Sequence, residues 1–475
     1  VTMKKSISLS LSILFTSFLL AQVPTENKVE MALKKLQSDA GLANGSLAFM
    51  AVNMDNGKVI ADYNGGKSMT PASIQKLITT GVALETLGSE FQFETTIKAA
   101  IDEESGAVSG DLYVFPSGDP TLQSKYYSSQ PTSLDQIKED LSSISSFTGS
   151  LIIDASGFSA HNTPRGWIWE DMGNYFGASP TPIIWRDNLL EVYLNSAQVG
   201  KPAMLSSKTQ NSEGLTIDLE VTASESNRDD AWFFSAPGSD LIYAKGTIPS
   251  NRTTFLVKAS HPKPMQRFGN EILKAGSLKA RQVRIDFDYI EHANLSTIST
   301  LVSPPLYSIV KMTNENSINL FAEALLVQLD ESDLGKSTEG GINQIEKTLS
   351  KQGTIKGNRF IDGSGLSPLN RLTCYSMLDL LTMMYRSKNK DSFINSLPIA
   401  GQSGTIKNSF TNPKLAGNMQ AKSGTMTGVR NYAGYIKNNQ GETVAFCVML
   451  NDYDSKRRNE IMQKLEDLML AIVEN

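Results

Sequence analysis

The chain is poor in the residues that build metal centres and disulfide frameworks. Only two of its 475 residues are cysteine, Cys374 and Cys447, and only three are histidine, His161, His261 and His292. The cysteines lack metal-ligand spacing, and no His-Glu-x-x-His occurs, which argues against a zinc peptidase of that type. Cys374 lies in a helical pattern and Cys447 in the apolar run "TVAFCVML", so both read as buried thiols. The histidines read as ordinary surface or loop residues. Neither a metal nor another cofactor is expected. No Lys/Arg-rich block is present and the net charge is -5, so nucleic acid is not an expected partner. Internal repeats and low-complexity linkers are also missing, and no apolar run is long enough to span a bilayer comfortably.

What is present is an ordinary globular composition, 40% hydrophobic and 20% charged, over a length that suggests two to four domains. Lys4 and Lys5 precede an apolar run from Ile7 to Leu20 and a small residue, Ala21. That pattern is a secretory leader, so residues 1–21 are expected to be a signal peptide and the protein periplasmic. No cysteine follows the run, which argues against a lipid anchor.

A helical stretch follows from Glu26 to Ala40. Two strands then flank Asp55-Asn56-Gly57, a hairpin signal. A helix is expected from Pro71 to Leu87. Residues 91–289 change texture, with short alternating runs such as "GSLIIDAS", "LTIDLEVTA" and "RTTFLVKAS", and one helix near Gln266–Ala275. Helices return from Pro304, and the chain ends in a strand hairpin and a helix over Ser455–Val473. The fold class is therefore α/β (α+β). One domain is made from both ends of the chain, residues 22–90 and 290–475, and is interrupted by a β-rich insertion, 91–289, of a size typical of a domain.

Three short motifs carry chemistry. In "TPASIQKLIT", Thr70 suits an N-cap and Pro71 the first helical position, which puts Ser73 in the first turn and Lys76 on the same face. A serine needs a base to become a nucleophile, and a lysine whose pKa is lowered by burial or by a nearby cation can be that base. In "ENSINLFAEALL", Ser317 and Asn319 share one side if the chain there is extended, placing a hydroxyl for proton shuttling beside an amide for a substrate carbonyl. In "AKSGTMTGVRNYAGYI", Lys422-Ser423-Gly424-Thr425 opens a strand. A cation and a hydroxyl there can hold a carboxylate, and Gly424 lets a substrate backbone come close. Each motif has a blander reading: a chance Ser-x-x-Lys, a helix-capping serine, a solvated strand-end lysine. A rival stretch, Ser403-Gly404-Thr405, lacks the preceding lysine.

Taken in order, Ser-x-x-Lys, Ser-x-Asn and Lys-Ser-Gly resemble the active-site set of serine β-lactamases and penicillin-binding proteins. The long Ser73–Ser317 interval argues against a β-lactamase. With "FPSGDPTL", "GWIWEDMGNYFGASP", "IDGSGLSPLNRLT" and "LPIAGQSGTIKNSF", the chain is similar from about Ala48 to Leu450 to the D-alanyl-D-alanine carboxypeptidase/endopeptidase family of the penicillin-binding protein 4 type, the class C enzymes of peptidase family S13. The resemblance implies a β-lactamase/transpeptidase-like catalytic domain, an insertion 91–289 of two subdomains, and a serine DD-peptidase acting on peptidoglycan stem peptides. It implies Ser73 as nucleophile and Lys76 as its base, and Ser317 and Asn319 as relay and substrate grip. Lys422 and Ser423 would bind the substrate carboxylate, and the N–H groups of Ser73 and Thr425 the oxyanion. β-Lactams would be covalent inhibitors. Asp154 would face the amino group of the stem, with Phe158 lining the same pocket. Pro368 stands where many relatives have an arginine, and Arg371 is three residues on. The alternatives are a β-lactamase or esterase on the same scaffold and an inactive wall-binding protein. Peripheral membrane attachment and homodimerisation stay open.

Overall fold

The computed structural model describes residues 27–128, 131–209, 212, 214–351, 353 and 356–475. The expected leader lies outside them.

The strand Thr443–Asn451 organises the catalytic part. Its sequence is apolar almost without a break, the pattern of a strand covered on both faces. Val444, Phe446, Val448 and Leu450 enter one core, and Ala445, Cys447 and Met449 enter the other. It is the middle member of a five-stranded antiparallel sheet ordered Met419–Met426, Val429–Lys437, Thr443–Asn451, Ser46–Asn53, Val59–Tyr63. The two ends of the chain meet where Ser46 lies opposite Asn451. The helices Lys28–Gln37 and Arg458–Val473 cover one face. Gln75–Leu87, Leu306–Asn316, Asn319–Gln328 and Cys374–Arg386 cover the other. Both cysteines are buried and not joined to each other.

Gln75–Leu87 is buried on every side from Gln75 to Leu84, as an interior helix must be. This placement takes Lys76 out of water.

The insertion holds two further cores. A five-stranded sheet, ordered Val283–Asp286, Leu151–Asp154, Val108–Phe115, Glu94–Ile101, Ser296–Val302, packs on the helices Ser133–Leu141 and Pro264–Ala275. Two three-stranded sheets pack against each other through Val192, Val221, Phe233, Ile242 and Val257. Ser296–Val302 pairs with Glu94–Ile101. Residues 296–302 therefore join the inserted sheet, although the sequence reading gave them to the catalytic part. A short edge strand is recruited by its partner, not by its own composition.

Candidate active site

Helix Gln75–Leu87 does not start at Pro71. A single 3-10 turn, Ala72–Ile74, comes first and carries Ser73. Ala72 has φ 47°, a left-handed conformation that costs an alanine on the order of 1–3 kcal/mol. The surroundings hold it there. Thr70 N donates to Asn451 Oδ1 at 2.7 Å, and Asn431 Nδ2 donates to the carbonyls of Thr70 and Pro71 at 2.9 and 2.8 Å. Thr70 does not cap the helix; its hydroxyl accepts from Arg371 Nη1 at 3.0 Å. Two glycines press on the same turn. A Cβ on Gly424 would lie 2.6 Å from Pro71 O and 3.2 Å from Ser73 N; one on Gly365, at φ 81°, would lie 1.9 Å from Ala72 O. Gly424 is thus required by the turn that carries Ser73.

Lys76 is fully buried, and its Nζ lies 3.0 Å from Ser73 Oγ. It also donates to Asn319 Oδ1 at 2.6 Å and to the Ser364 carbonyl at 2.7 Å. The Asn319 amide orientation is fixed, because its Nδ2 donates to the carbonyl of Phe176 at 2.8 Å. Both carbonyl oxygens can only accept. A neutral amine has two N–H bonds for them and one lone pair, which is left for the Ser73 hydroxyl. Burial lowers the lysine pKa to about 7, against weaker opposing pulls from Glu323 and Asp362. At pH 7 about half of such an amine is unprotonated, against about 0.03% of an ordinary lysine.

Ser317 directly follows helix Leu306–Asn316 in a left-handed conformation, φ 57° and ψ 43°, and one residue later Asn319 begins the next helix. Ser317 thus closes one helix and, one residue before the Ile318 N-cap, stands at the entry of the next. Lys422 is the fourth residue of Met419–Met426, not the first. It too is fully buried, and its Nζ donates to Ser317 Oγ and the Ser423 carbonyl, both at 2.8 Å. Burial, and then the charge of Lys76, pull its pKa well below the usual lysine range. Ser423 Oγ is 2.8 Å from Thr405 Oγ1, so the rival stretch supplies a hydroxyl to the same site. Thr425 is exposed, its hydroxyl accepting from Arg430 Nη1 at 2.6 Å.

Behind Lys76 lies a layer that the motifs did not reveal. Glu323 is fully buried and accepts from the N–H groups of Gly363 and Ser364 at 2.9 and 2.8 Å, which aims the Ser364 carbonyl at Lys76. Burial, then Asp362, raise its pKa, and those N–H donors oppose the rise. Asp362 accepts from Gly365 N, Ser367 N, Asn370 Nδ2 and, across from the insertion, Trp167 Nε1 at 2.9 Å. Glu323 was visible as the one acid in an otherwise apolar helix, "NLFAEALL". Asn431 and Asn451 carried no such signal.

Asp154 ends the strand Leu151–Asp154, and its Oδ2 lies 2.6 Å from His292 Nε2. Burial pushes its pKa up, but hydrogen bonds from Ser156 and His292 outweigh that and the net shift is downward. His292 is therefore a partnered loop residue, and His261 lies in a loop but is buried. Phe158 is buried against Gly118 and Gly335. Among the described residues, neither Asp154 nor Phe158 bonds to the three motifs. Arg371 Nη1 also donates to the Pro368 carbonyl, so this guanidinium is tied to the nucleophile turn.

Three separated segments thus converge on a hydroxyl beside a dehydrated amine. The chain is 28% identical over 436 residues to the D-alanyl-D-alanine carboxypeptidase DacB of Haemophilus influenzae, covering 87% of each. Its fold superposes on penicillin-binding protein 4 of that organism with TM-score 0.80 at 24% identity, over 94% of this chain and 99% of the other. The same protein complexed with a β-lactam gives TM-score 0.75 at 23% identity, over 94% and 100%. Residues 29–471, nearly the whole described chain, match one family throughout, and the protein belongs to the D-Ala-D-Ala carboxypeptidase 3 (S13) family.

Proposed function

We propose that this protein is a serine DD-peptidase of peptidoglycan that works through an acyl-enzyme on Ser73. One observation carries the reading: Lys76 Nζ, fully buried, lies 3.0 Å from Ser73 Oγ with both its hydrogens claimed by carbonyl acceptors. The Ser73 hydroxyl proton passes to that nitrogen as Oγ bonds to the penultimate D-alanine carbonyl carbon. The N–H groups of Ser73 and Thr425 receive the oxyanion, and preorganised donors of this kind are worth about 3 kcal/mol each. The C–N bond then breaks as the departing nitrogen takes the proton held by Lys76, relayed through the hydroxyl of Ser317, which is hydrogen-bonded to Lys422; Lys76 is again a neutral amine. Water attacks the acyl carbon and gives up a proton to Lys76, and the C–Oγ bond breaks as Oγ takes that proton back to restore the serine.

Lys422 and Ser423 hold the terminal carboxylate of the substrate. Released D-alanine makes the enzyme a carboxypeptidase; release of a cross-linked amine makes it an endopeptidase. Asp154 and Phe158 bind the stem further out. In that role Asp154 presents a carboxylate whose pKa, against the raising effect of burial, is lowered by hydrogen bonds from Ser156 and His292. β-Lactams acylate Ser73 and leave slowly. The Lys4–Leu20 pattern supports export to the periplasm. No helix among the described residues is long and apolar enough to cross a membrane.

Mass spectrometry tests the reading directly. Wild-type protein incubated with benzylpenicillin gains one penicilloyl adduct on the Ser73 peptide, and Ser73→Ala gains none. An adduct that survives this substitution overturns the assignment. Products from defined muropeptides, free D-alanine against separated dimers, then divide the two activities.

A further inference from the structure

The outward face of a solvent-facing sheet is normally polar. The sheet made by Thr216–Ser224, Leu241–Pro249 and Asp230–Phe234 departs from this. Its inner residues Val221, Phe233 and Ile242 fill a core. Its outer face carries Trp232, Phe234 and Tyr243, with Trp232 43% and Tyr243 45% exposed. Trp232 and Phe234 are two apart on one strand and so share that face; Tyr243 is directly opposite Phe234. Trp169, 46% exposed, comes from the helix Trp169–Met172 and stacks on Phe234 with ring centroids 6.2 Å apart. Beside these rings stand Asp218, opposite Tyr243, and an exposed Lys245–Glu220 pair at 3.3 Å. Trp169, Phe234, Tyr243, Asp218, Glu220 and Lys245 border a hollow of about 430 Å³.

The aromatic row runs into the active site. Trp232 meets Phe176 edge to face at 6.3 Å, and the Phe176 carbonyl is the group that holds the Asn319 amide. Rings exposed in a contiguous patch, interleaved with carboxylates and an ammonium, suit a ligand with apolar C–H faces and many hydroxyls. That is the chemistry of a sugar chain. Resting on the DD-peptidase reading, we propose that this face binds the glycan strand of peptidoglycan, the N-acetylated amino-sugar chain from which the stem peptide hangs. Ring faces of Trp169 and Tyr243 stack on the sugars, and Asp218, Glu220 and Lys245 hydrogen-bond their hydroxyl and amide groups. The track delivers the attached peptide to Ser73.

The experiment compares the full-length protein with a Trp169→Ala/Tyr243→Ala variant. Both substituted side chains are exposed, so the variant keeps its fold, which its melting temperature checks. Two substrates are used: a free D-Ala-D-Ala pentapeptide and the same peptide attached to glycan oligomers. The ratio of kcat/KM for glycan-linked over free peptide is expected to fall about tenfold in the variant, through KM. In Ser73→Ala protein, peptide-free glycan oligomers are expected to change tryptophan fluorescence saturably, and the double variant to lose this. An unchanged ratio together with unchanged glycan binding overturns the proposal. So does a variant that shifts a dimer to monomer in sedimentation while glycan binding persists, because the face is then a self-association surface. Wild type that turns over neither substrate defeats the DD-peptidase reading instead, and the fluorescence arm still decides whether glycan binds.

Discussion

Lys76 is a surface-type residue made reactive by location alone. Nothing in its covalent structure differs from the other lysines; dehydration lowers its pKa from 10.5 to about 7. The lowered value fixes the sign of the pH response. In the proposed mechanism the neutral amine is the base, so its fraction rises with pH and saturates above the pKa. Acylation by a fluorescent penicillin, followed by stopped flow, is expected to rise about tenfold per pH unit below about pH 6 and to flatten above about pH 8. A rate independent of pH over that range would show that Lys76 is not the base. Glu323 acts on the same titration from behind. Its negative charge pulls the Lys76 pKa upward. Burial raises the Glu323 pKa to about 8, so this pull grows only as Glu323 ionises, and Glu323→Gln is expected to move the upper part of the inflection to lower pH. It is also expected to slow acylation, because one backbone N–H then faces an amide NH₂ and the Ser364 carbonyl loses its aim. A purely structural role would lower the melting temperature and leave the inflection where it was.

At the scale of elements, the nucleophile turn exists because strands far away in sequence hold it. Asn431 satisfies three backbone groups at once: it donates to the carbonyls of Thr70 and Pro71 and accepts from Leu450 N at 3.0 Å. It is fully buried, so water cannot replace it. Asn431→Ala is expected to cost about 3 kcal/mol of unfolding free energy in urea titration, and to cut penicillin acylation well beyond the loss of folded protein. This dependence explains what could be read in advance. Ser73, Lys76, Ser317, Asn319 and Lys422 stood out because the proposed chemistry demands those side chains at short spacings; the structure bonds Lys76 to Ser73 and Asn319, and Lys422 to Ser317. The apolar run around Cys447 announced a central strand. Thr70-Pro71 carried the signature of a helix N-terminus, but tertiary bonds to Thr70 overrode the local preference and the helix starts later. Asn431 and Asn451 were invisible because an asparagine in a strand gives no sign of which distant carbonyl it will meet. Gly424 was legible as a place of close approach, and within the chain the backbone that comes close is that of Pro71 and Ser73.

At the scale of the whole molecule, the insertion is tied to the catalytic machinery by two contacts on either side of Lys76. Trp167 reaches Asp362, which shapes the loop bearing the Ser364 carbonyl, and the Phe176 carbonyl orients the Asn319 amide. Both come from one stretch, "GWIWEDMGNYFGASP". Each acceptor of Lys76 is therefore set in part by the insertion. Trp167→Phe keeps most of the ring and removes only the N–H. Asp362 retains three of its four donors, and losing one charge-assisted hydrogen bond costs about 1.5–3 kcal/mol. The expected outcome is a lowered melting temperature and a several-fold lower acylation rate, although Trp167 touches none of the reacting atoms. Hydrogen exchange supplies the second readout: the amides of Gly365 and Ser367 are expected to lose protection, with the sheet Thr443–Asn451 unaffected. If acylation stays at the wild-type rate while those amides lose protection, the loop tolerates the loosened tether, and the insertion positions substrate without tuning the base.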